Sequence, residues 1–196
     1  MKRICRALLA CALLLALAVP ARAEYRPETD YMARMLAAAE ANDLAAGLAA
    51  QRSRDEKIAA LGLPWARIDF EELWLLSKII YAEAGCAWLD MEWKMAVGEV
   101  VLNRMASPEF PDTMREVLEQ PGQYYGKNNR YFNALKPTQE CVEAALRLLT
   151  GERVLGEPGV VFQSNYRLGS GVYLELRDEY LGSTYLCWSS YPELYV

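Results

Sequence analysis

Glu83, in the segment IIYAEAGCAW (79–88), is the leading candidate for chemistry in this sequence. The chain contains no histidine, which excludes Ser-His-Asp and Cys-His hydrolases, histidine-ligated zinc sites and histidine general bases. Acid–base chemistry must therefore come from a carboxylate, a lysine or a tyrosine. Walker-type and dinucleotide glycine motifs are also missing. The sequence thus predicts no cofactor and no metal.

The environment predicted for Glu83 would favour its protonated form. Periodicity predicts a helix over 70–84, in which Glu83 shares the apolar face of Ile80 and Gly85 takes a left-handed position after the last turn. Desolvation and the negative end of the helix dipole would both raise the pKa of Glu83. A protonated carboxyl group could serve as a general acid. The alternative is that Glu83 only accepts an ion pair from Arg104 or a nearby lysine.

A second helix is predicted over 91–105, with apolar residues on nearly every side, as in a helix buried inside a domain. Glu99, Asn103 and Arg104 are its polar exceptions. Glu99 and Asn103 are spaced to hydrogen-bond each other, and we expect Arg104 to reach a carboxylate. All three are predicted to be structural.

The remaining segments predict an α+β fold that is mostly helical, with a small antiparallel β element near the C-terminus. Thr113 and Glu116 form a capping box for a short helix. The polar, aromatic loop over 122–137 is either a carbohydrate-facing surface or an ordinary solvated loop. The last predicted helix covers 138–150, and β-branched and aromatic runs follow at 159–165, 169–176 and 183–190.

The N-terminal part divides into two predicted segments. Residues 1–23 have the basic, apolar and small-residue regions of a secretory signal peptide, with cleavage expected after Ala23. Residues 24–64 are an Ala-rich helical extension and linker, whose helix over 28–61 is expected to break or kink around Asn42 and Gly47. Residues 65–196 form the main domain. The protein is therefore expected to be secreted or associated with the cell wall, without stable membrane insertion.

Net charge bears on the possible binding partners, and the cysteines bear on a possible disulfide. Removal of four of the 21 basic residues with the signal would leave 17 basic against 26 acidic residues, a formal net charge of −9. This acidity argues against nucleic acid as a partner. Cys86, Cys141 and Cys187 remain; one pair could form a disulfide, or all three could fill apolar space.

Four motifs in this order, SKIIYAEAG, KMAVGEVVLNRMASPEFPDT, EVLEQPGQY and VVFQSN, resemble the SleB/CwlJ-type cell wall hydrolases, the spore-cortex-lytic enzymes and their vegetative relatives. The similarity covers about residues 70–187. It implies a lysozyme-like domain, similar to lytic transglycosylases, in which one glutamate does the acid–base work on peptidoglycan glycan strands. The glutamate of the family motif falls on Glu83.

The resemblance also implies glycan contacts by Gln123 and Tyr124 in GQY, and by Gln163 and Asn165 in FQSN. Glu99 matches a position typical of the family, although its buried helix favours a structural role. The FQSN sequence departs from the aromatic-His/Asn pattern of many relatives, which affects groove contacts more than Glu83. On physical grounds we add two aromatic faces for sugar rings, Tyr125 and Tyr185.

Three functions compete at this point. The first is a lytic transglycosylase, which forms a 1,6-anhydro product with Glu83 alone. The second is a conventional glycoside hydrolase, in which Glu99, Asp90 or Asp112 activates water. The third is a non-catalytic wall-binding protein that keeps the fold.

Overall fold

A computed structural model describes residues 27–62, 68–124 and 129–195, and the side chains from residue 31 onward. The predicted signal peptide and Tyr125 lie outside these residues.

The chain begins with two helices that pack against each other, α1 (Pro27–Ala41) and α2 (Leu44–Leu61). The predicted break at Asn42 is confirmed, because this residue adopts a left-handed conformation with φ 58°. Gly47 instead lies inside α2. Asp43 caps α2 by accepting a hydrogen bond from the backbone N–H of Ala46 at 2.9 Å. The Ala-rich segment is therefore a helical hairpin.

The centre of the fold consists of α3 (Phe70–Ala84), α4 (Met91–Ala106) and α7 (Gln139–Leu149), which pack on one another. Asp69 and Asp90 cap α3 and α4. A Cβ on Gly98 would lie 2.6 Å from Leu148 Cδ1 and 2.8 Å from Ile80 Cδ1. Glycine therefore allows the three helices to meet closely. Two short helices, α5 (Met114–Leu118) and α6 (Arg130–Ala134), flank them.

The C-terminal part forms an antiparallel sheet in the order β1-β3-β2, from β1 (Val160–Ser164), β2 (Val172–Asp178) and β3 (Gly182–Trp188). A 3-10 helix (Pro192–Tyr195) follows. The predicted fold class, a mostly helical α+β fold with a small antiparallel sheet near the C-terminus, is confirmed. The likeness to lysozyme stays a prediction.

The helical hairpin shares its core with the main helices. Met35, Ala39 and Ala50 of the hairpin belong to the same buried cluster as Phe70 and Leu76 of α3. The boundary between residues 64 and 65 stays a prediction, but apolar packing is continuous across it.

Lys78 of α3 ties the turn of the hairpin to the main helices. Its side chain is buried, and its ammonium group donates to Asn42 Oδ1 at 3.0 Å and to the carbonyl of Asn133 at 3.1 Å. The same group lies 4.2 Å from the ring centroid of Trp74 and 5.0 Å from that of Phe132. Burial disfavours the charge and lowers the pKa of Lys78 to about 8.

Gly85 differs from its predicted left-handed conformation. Its φ of −75° and ψ of −3° are right-handed. A Cβ at this position would lie 2.2 Å from the carbonyl oxygen of Tyr81 and 2.7 Å from its Cδ2 atom. Glycine is therefore needed here for a close approach of the last helical turn, and not for a positive φ.

The three cysteines that remain after the predicted cleavage do not form a disulfide in the structure. Cys86, Cys141 and Cys187 are free, with Cys141 and Cys187 buried and Cys86 partly buried. Of the two alternatives, the structure therefore has the one in which the cysteines fill apolar space. Among the helices of residues 27–62, 68–124 and 129–195, none is both long and apolar enough to cross a bilayer.

Candidate active site

Glu83 lies in the last turn of α3, where the helix leaves the core. Ile79 and Ile80 are fully buried, but Glu83 itself is exposed. It shares their arc, but the helix has passed the edge of the core by the time it reaches Glu83.

The carboxyl group of Glu83 nevertheless has a raised pKa, because the surrounding protein removes part of its hydration. Its place at the negative end of α3 acts in the same direction. Exposure of the residue and desolvation of its carboxyl group are compatible when one side opens to solvent and the other faces protein. In the described part of the chain, no lysine or arginine forms an ion pair with Glu83, so the ion-pair alternative is not the one observed.

Gln163 of β1 reaches Glu83 from the opposite side of the site. Its Nε2 donates to Glu83 Oε2 across 3.4 Å, a long hydrogen bond. The Oε1 atom of Gln163 is buried and has no hydrogen-bond partner. The residue therefore orients one carboxylate oxygen and still has an unused acceptor.

The charges of Glu83 and Arg104 act in opposite directions on the pKa of Tyr124. Burial raises the pKa of its phenol, the charge of Arg104 lowers it, and the charge of Glu83 raises it. The hydroxyl group is buried without a hydrogen-bond partner. A buried donor in this state normally has a functional or structural reason.

Arg104 packs against three aromatic rings in the wall of the site. It is buried, and its Nε donates to the carbonyl of Val161 at 2.6 Å. Its guanidinium carbon lies 4.9 Å from the ring centroids of Phe110 and Tyr124, and 5.7 Å from that of Phe162. The prediction that Arg104 reaches a carboxylate is therefore wrong, because aromatic faces and a carbonyl dipole surround this cation instead.

A cavity of about 290 Å³ opens beside these groups. It brings together three residues predicted to bind substrate, Gln123, Tyr124 and Gln163, and adds Arg104 and the exposed Tyr166. Glu83 contacts this lining through Gln163.

Two of the remaining predicted residues lie elsewhere in the structure. Asn165 is exposed and Tyr185 is half-buried, and neither is among the described residues that line the cavity. Tyr185 lies in the central strand β3, where Arg167 sits 5.8 Å from its ring centroid. Their roles, and that of Tyr125 outside the described residues, stay predictions.

Glu99 and Asn103 organise the segment that leads into β1. Glu99 is buried and accepts the three backbone N–H groups of residues 154–156, at 2.7, 2.9 and 2.9 Å. Asn103 Nδ2 donates to the carbonyls of Glu157 and Val160, at 2.9 and 3.0 Å, and not to Glu99 as predicted. Glu99 and Asn103 bond to this loop and not to each other, because the backbone polar groups of the loop would otherwise be buried unpaired.

The carboxylates considered for water activation are placed unfavourably for that role. Both oxygens of Glu99 are committed to backbone N–H groups, and Asp90 caps α4 by accepting from the N–H of Trp93 at 2.8 Å. Asp112 is exposed in the segment before α5.

The aromatic rings around Arg104 were not predicted from the sequence. Phe110 lies in an irregular segment between Pro108 and Pro111, where no periodicity indicates a direction. Phe162 precedes Gln163 in β1, and alternation along that strand was its available signal.

Residues 90–167 match the family model described as cell wall hydrolase. The match covers less than half of the chain; it includes Gln123, Tyr124 and Gln163, and it begins seven residues after Glu83. It supports the cell wall hydrolase family and a peptidoglycan-cleaving function. Comparisons with curated proteins and with solved structures found no significant match.

Proposed function

We propose that this protein is a secreted lytic transglycosylase that cleaves the β-1,4 bond between N-acetylmuramic acid and N-acetylglucosamine in peptidoglycan. Glu83 acts as its single general acid and base. The observation that carries the proposal is the carboxyl group of Glu83, which has a raised pKa, is oriented by Gln163 and lies beside a polar and aromatic cavity.

In the first step, protonated Glu83 donates its proton to the glycosidic oxygen. The bond from this oxygen to C1 of N-acetylmuramic acid breaks, and N-acetylglucosamine leaves with a new hydroxyl group. The raised pKa of Glu83 keeps a larger fraction of the carboxyl group protonated near neutral pH than an ordinary glutamate would have.

In the second step, ionised Glu83 removes the proton from the C6 hydroxyl of N-acetylmuramic acid. The C6 oxygen bonds to C1 and closes a 1,6-anhydro ring, which regenerates protonated Glu83 and consumes no water. The Gln163 amide donates to Oε2 of the carboxylate in this step, so it stabilises the ionised form that acts as base.

The pKa of Glu83 also bears on the choice between one and two carboxylates. In retaining hydrolases the two carboxyl groups are only about 5 Å apart and perturb each other strongly. Burial is the cause of the shift at Glu83. Glu99 is bonded to backbone N–H groups and Asp90 caps α4, so neither is placed as a second catalytic carboxylate. This geometry supports the single-glutamate reaction.

The cavity supplies the groups that a glycan would need. Gln123 and Gln163 offer amide groups to sugar hydroxyl and acetamido groups, and Tyr124 contributes to the lining of the cavity. Arg104 keeps the Tyr124 ring in place. We place this activity outside the cytoplasm because of the predicted signal peptide, in remodelling of the vegetative wall or the spore cortex.

The test is the Glu83→Gln variant, which keeps the shape of the side chain but cannot deliver the proton. We expect release of soluble muropeptides from purified sacculi to fall at least ~100-fold, while the melting temperature and glycan binding are kept. Glu56→Gln, the same change at an exposed position of α2, is the matched control and should leave the activity unchanged. Digestion by Glu83→Gln at the wild-type rate would show that the assignment is wrong.

Product analysis by mass spectrometry separates the competing reactions. Anhydro-muramic termini support the transglycosylase, and reducing termini indicate the conventional glycoside hydrolase. Binding without any product indicates the non-catalytic wall-binding protein.

A further inference from the structure

Two large aromatic side chains form an exposed pair away from the cavity. Trp88 follows α3 and is 60% exposed, and Tyr180 lies in the β2–β3 turn and is 79% exposed. Their ring centroids are 6.1 Å apart, with an interplanar angle of 72°. Single exposed apolar residues are common. Two exposed rings from distant segments contact each other only because the tertiary fold brings them together.

Asp178, the last residue of β2, hydrogen-bonds to both residues of the pair. Its Oδ2 accepts from the indole Nε1 of Trp88 at 3.2 Å, and its Oδ1 accepts from the backbone N–H groups of Tyr180 and Leu181, each at 2.9 Å. These hydrogen bonds, led by that from Leu181, lower the pKa of Asp178 and keep it ionised. The Trp88 ring and the backbone of Tyr180 are therefore preorganised, which reduces the entropy lost when a ligand binds.

A buried apolar cluster connects the segment that carries Trp88 to β2. Ala84, Leu89 and Trp93 form a buried cluster that Leu176 of β2 contacts. This cluster joins the segment after Glu83 to the strand that ends at Asp178. The segment that carries Trp88 and the strand that leads to Tyr180 are therefore packed against each other.

Glu83 lies near enough for one polymer to reach both places. Trp88 is five residues after Glu83, so their Cα atoms are at most about 18 Å apart. Across the sheet, Leu186 pairs with both Gln163 and Leu174, and Asp178 is four residues beyond Leu174, which is about 13 Å along β2.

We propose that the Trp88–Tyr180 pair is a second carbohydrate-binding subsite, which holds a glycan strand some sugar units away from the bond beside Glu83. Its ligand is a β-1,4-linked N-acetylated glycan, whose flat C–H faces pack on aromatic rings. The identity of the polymer rests on the proposed function.

Charge near the pair favours a neutral sugar face over an anionic surface. Asp178 and Glu179 are carboxylates beside the rings and can accept hydrogen bonds from sugar hydroxyls. The same carboxylates, with a formal net charge of −5 for the chain, would repel anionic lipid headgroups and nucleic acid.

The test compares a long and a short glycan in the Glu83→Gln background, which prevents turnover. We expect chitohexaose to span both places and chitobiose to occupy the cavity alone. We expect Trp88→Ala and Tyr180→Ala each to weaken chitohexaose binding about tenfold by calorimetry, and to leave chitobiose binding unchanged. Tyr191→Ala removes another exposed tyrosine, 55% accessible, and should leave binding of both sugars unchanged.

The outcomes distinguish the subsite from the proposed function. If the wild-type protein cleaves sacculi but both variants bind chitohexaose normally, the subsite is wrong and the enzyme assignment stands. If the wild-type protein neither cleaves sacculi nor binds either sugar, the proposed function fails and the subsite fails with it. Binding of the wild type to phosphatidylglycerol vesicles that both variants lose would overturn the glycan in favour of a lipid surface.

Tyr180→Ala keeps the test decisive if Trp88→Ala lowers the melting temperature. The Tyr180 ring is largely in solvent, and the backbone hydrogen bonds to Asp178 remain in that variant. Normal chitohexaose binding by a folded Tyr180→Ala protein would therefore be sufficient to reject the proposed pair.

Discussion

Glu83 combines access to solvent with a raised pKa, two properties that usually exclude each other. An exposed glutamate titrates near 4.3, whereas burial of the carboxyl group raises the pKa of Glu83 above its usual range. In the proposed reaction, access is required because a glycan must reach the carboxyl group. Desolvation is required because the first step of that reaction uses the proton of Glu83. The end of α3 provides both conditions by placing Glu83 at the edge of the core.

This pKa predicts how the rate of cleavage depends on pH. The first step of the proposed reaction needs protonated Glu83, so kcat/KM should fall tenfold per pH unit as pH rises above the pKa of Glu83. Because burial raises that pKa, the fall should begin above the range of an ordinary glutamate. The measurement is the initial rate on soluble glycan strands across pH.

Binding of the same strands by Glu83→Gln provides the control, since it should stay constant across the pH range. A rate that already falls at the pKa of an ordinary glutamate, with binding constant, would contradict the environment described for Glu83.

At the scale of elements, the sequence predicted the helices, strands and breaks that depend on local residue patterns. The helix over 70–84 and the three strands were predictable from periodicity, and the hairpin break from Asn42. Helix α6 was missed in the predicted loop 122–137, because five residues are too few to show a period. This helix is stabilised by Asn129, whose Oδ1 accepts hydrogen bonds from the N–H groups of Tyr131 and Phe132, and by tertiary contacts.

The candidate site was predictable to a similar extent. Glu83, Gln123, Tyr124 and Gln163 were found through motifs, and the structure places them together. Strand alternation could have indicated Phe162, but the meeting of three rings around Arg104 could not be predicted, because they come from separate segments. Which segments meet is decided by tertiary packing, which no local pattern encodes.

Glu99 gives a prediction for the segment that enters β1. Glu99→Gln replaces one acceptor oxygen with a donor that faces backbone N–H groups, so at least one buried hydrogen bond to a charged group is lost. We expect the free energy of unfolding to fall by about 2–3 kcal/mol, measured by urea denaturation. Glu92→Gln, an exposed position on the same helix, should change it by less than about 0.5 kcal/mol. Equal effects of the two variants would argue against this role of Glu99.

At the scale of the whole molecule, the hairpin and the main helices behave as one packed body. Gln51 Oε1 accepts from the N–H of Phe70 at 2.6 Å, and the buried Arg54 donates to the carbonyl of Ile68 at 3.0 Å. These bonds lie beside the apolar contacts between α2 and Phe70. The hairpin should therefore unfold together with the domain.

Gly47→Ala tests this joint. A Cβ at Gly47 would lie 1.9 Å from Cζ of the fully buried Phe70, so the ring must move. Overpacking costs about 1–3 kcal/mol, which outweighs the gain of up to about 1 kcal/mol in helix propensity. We expect a net loss of about 1–2 kcal/mol in the free energy of unfolding.

A double-mutant cycle with Phe70→Leu isolates the contact. In that background the alanine has more room, so Gly47→Ala should cost less or become stabilising. The same cost in both backgrounds would indicate that α2 does not press on Phe70.

Lys78 gives this joint a further property. Its buried ammonium group is held by an amide oxygen, a backbone carbonyl and two aromatic rings, all of them neutral. Dissolved ions weaken attraction between exposed charges of opposite sign, but they act far less on a buried cation held by dipoles. The attachment of the hairpin to the main helices should therefore be little affected by the ionic strength of the protein's surroundings.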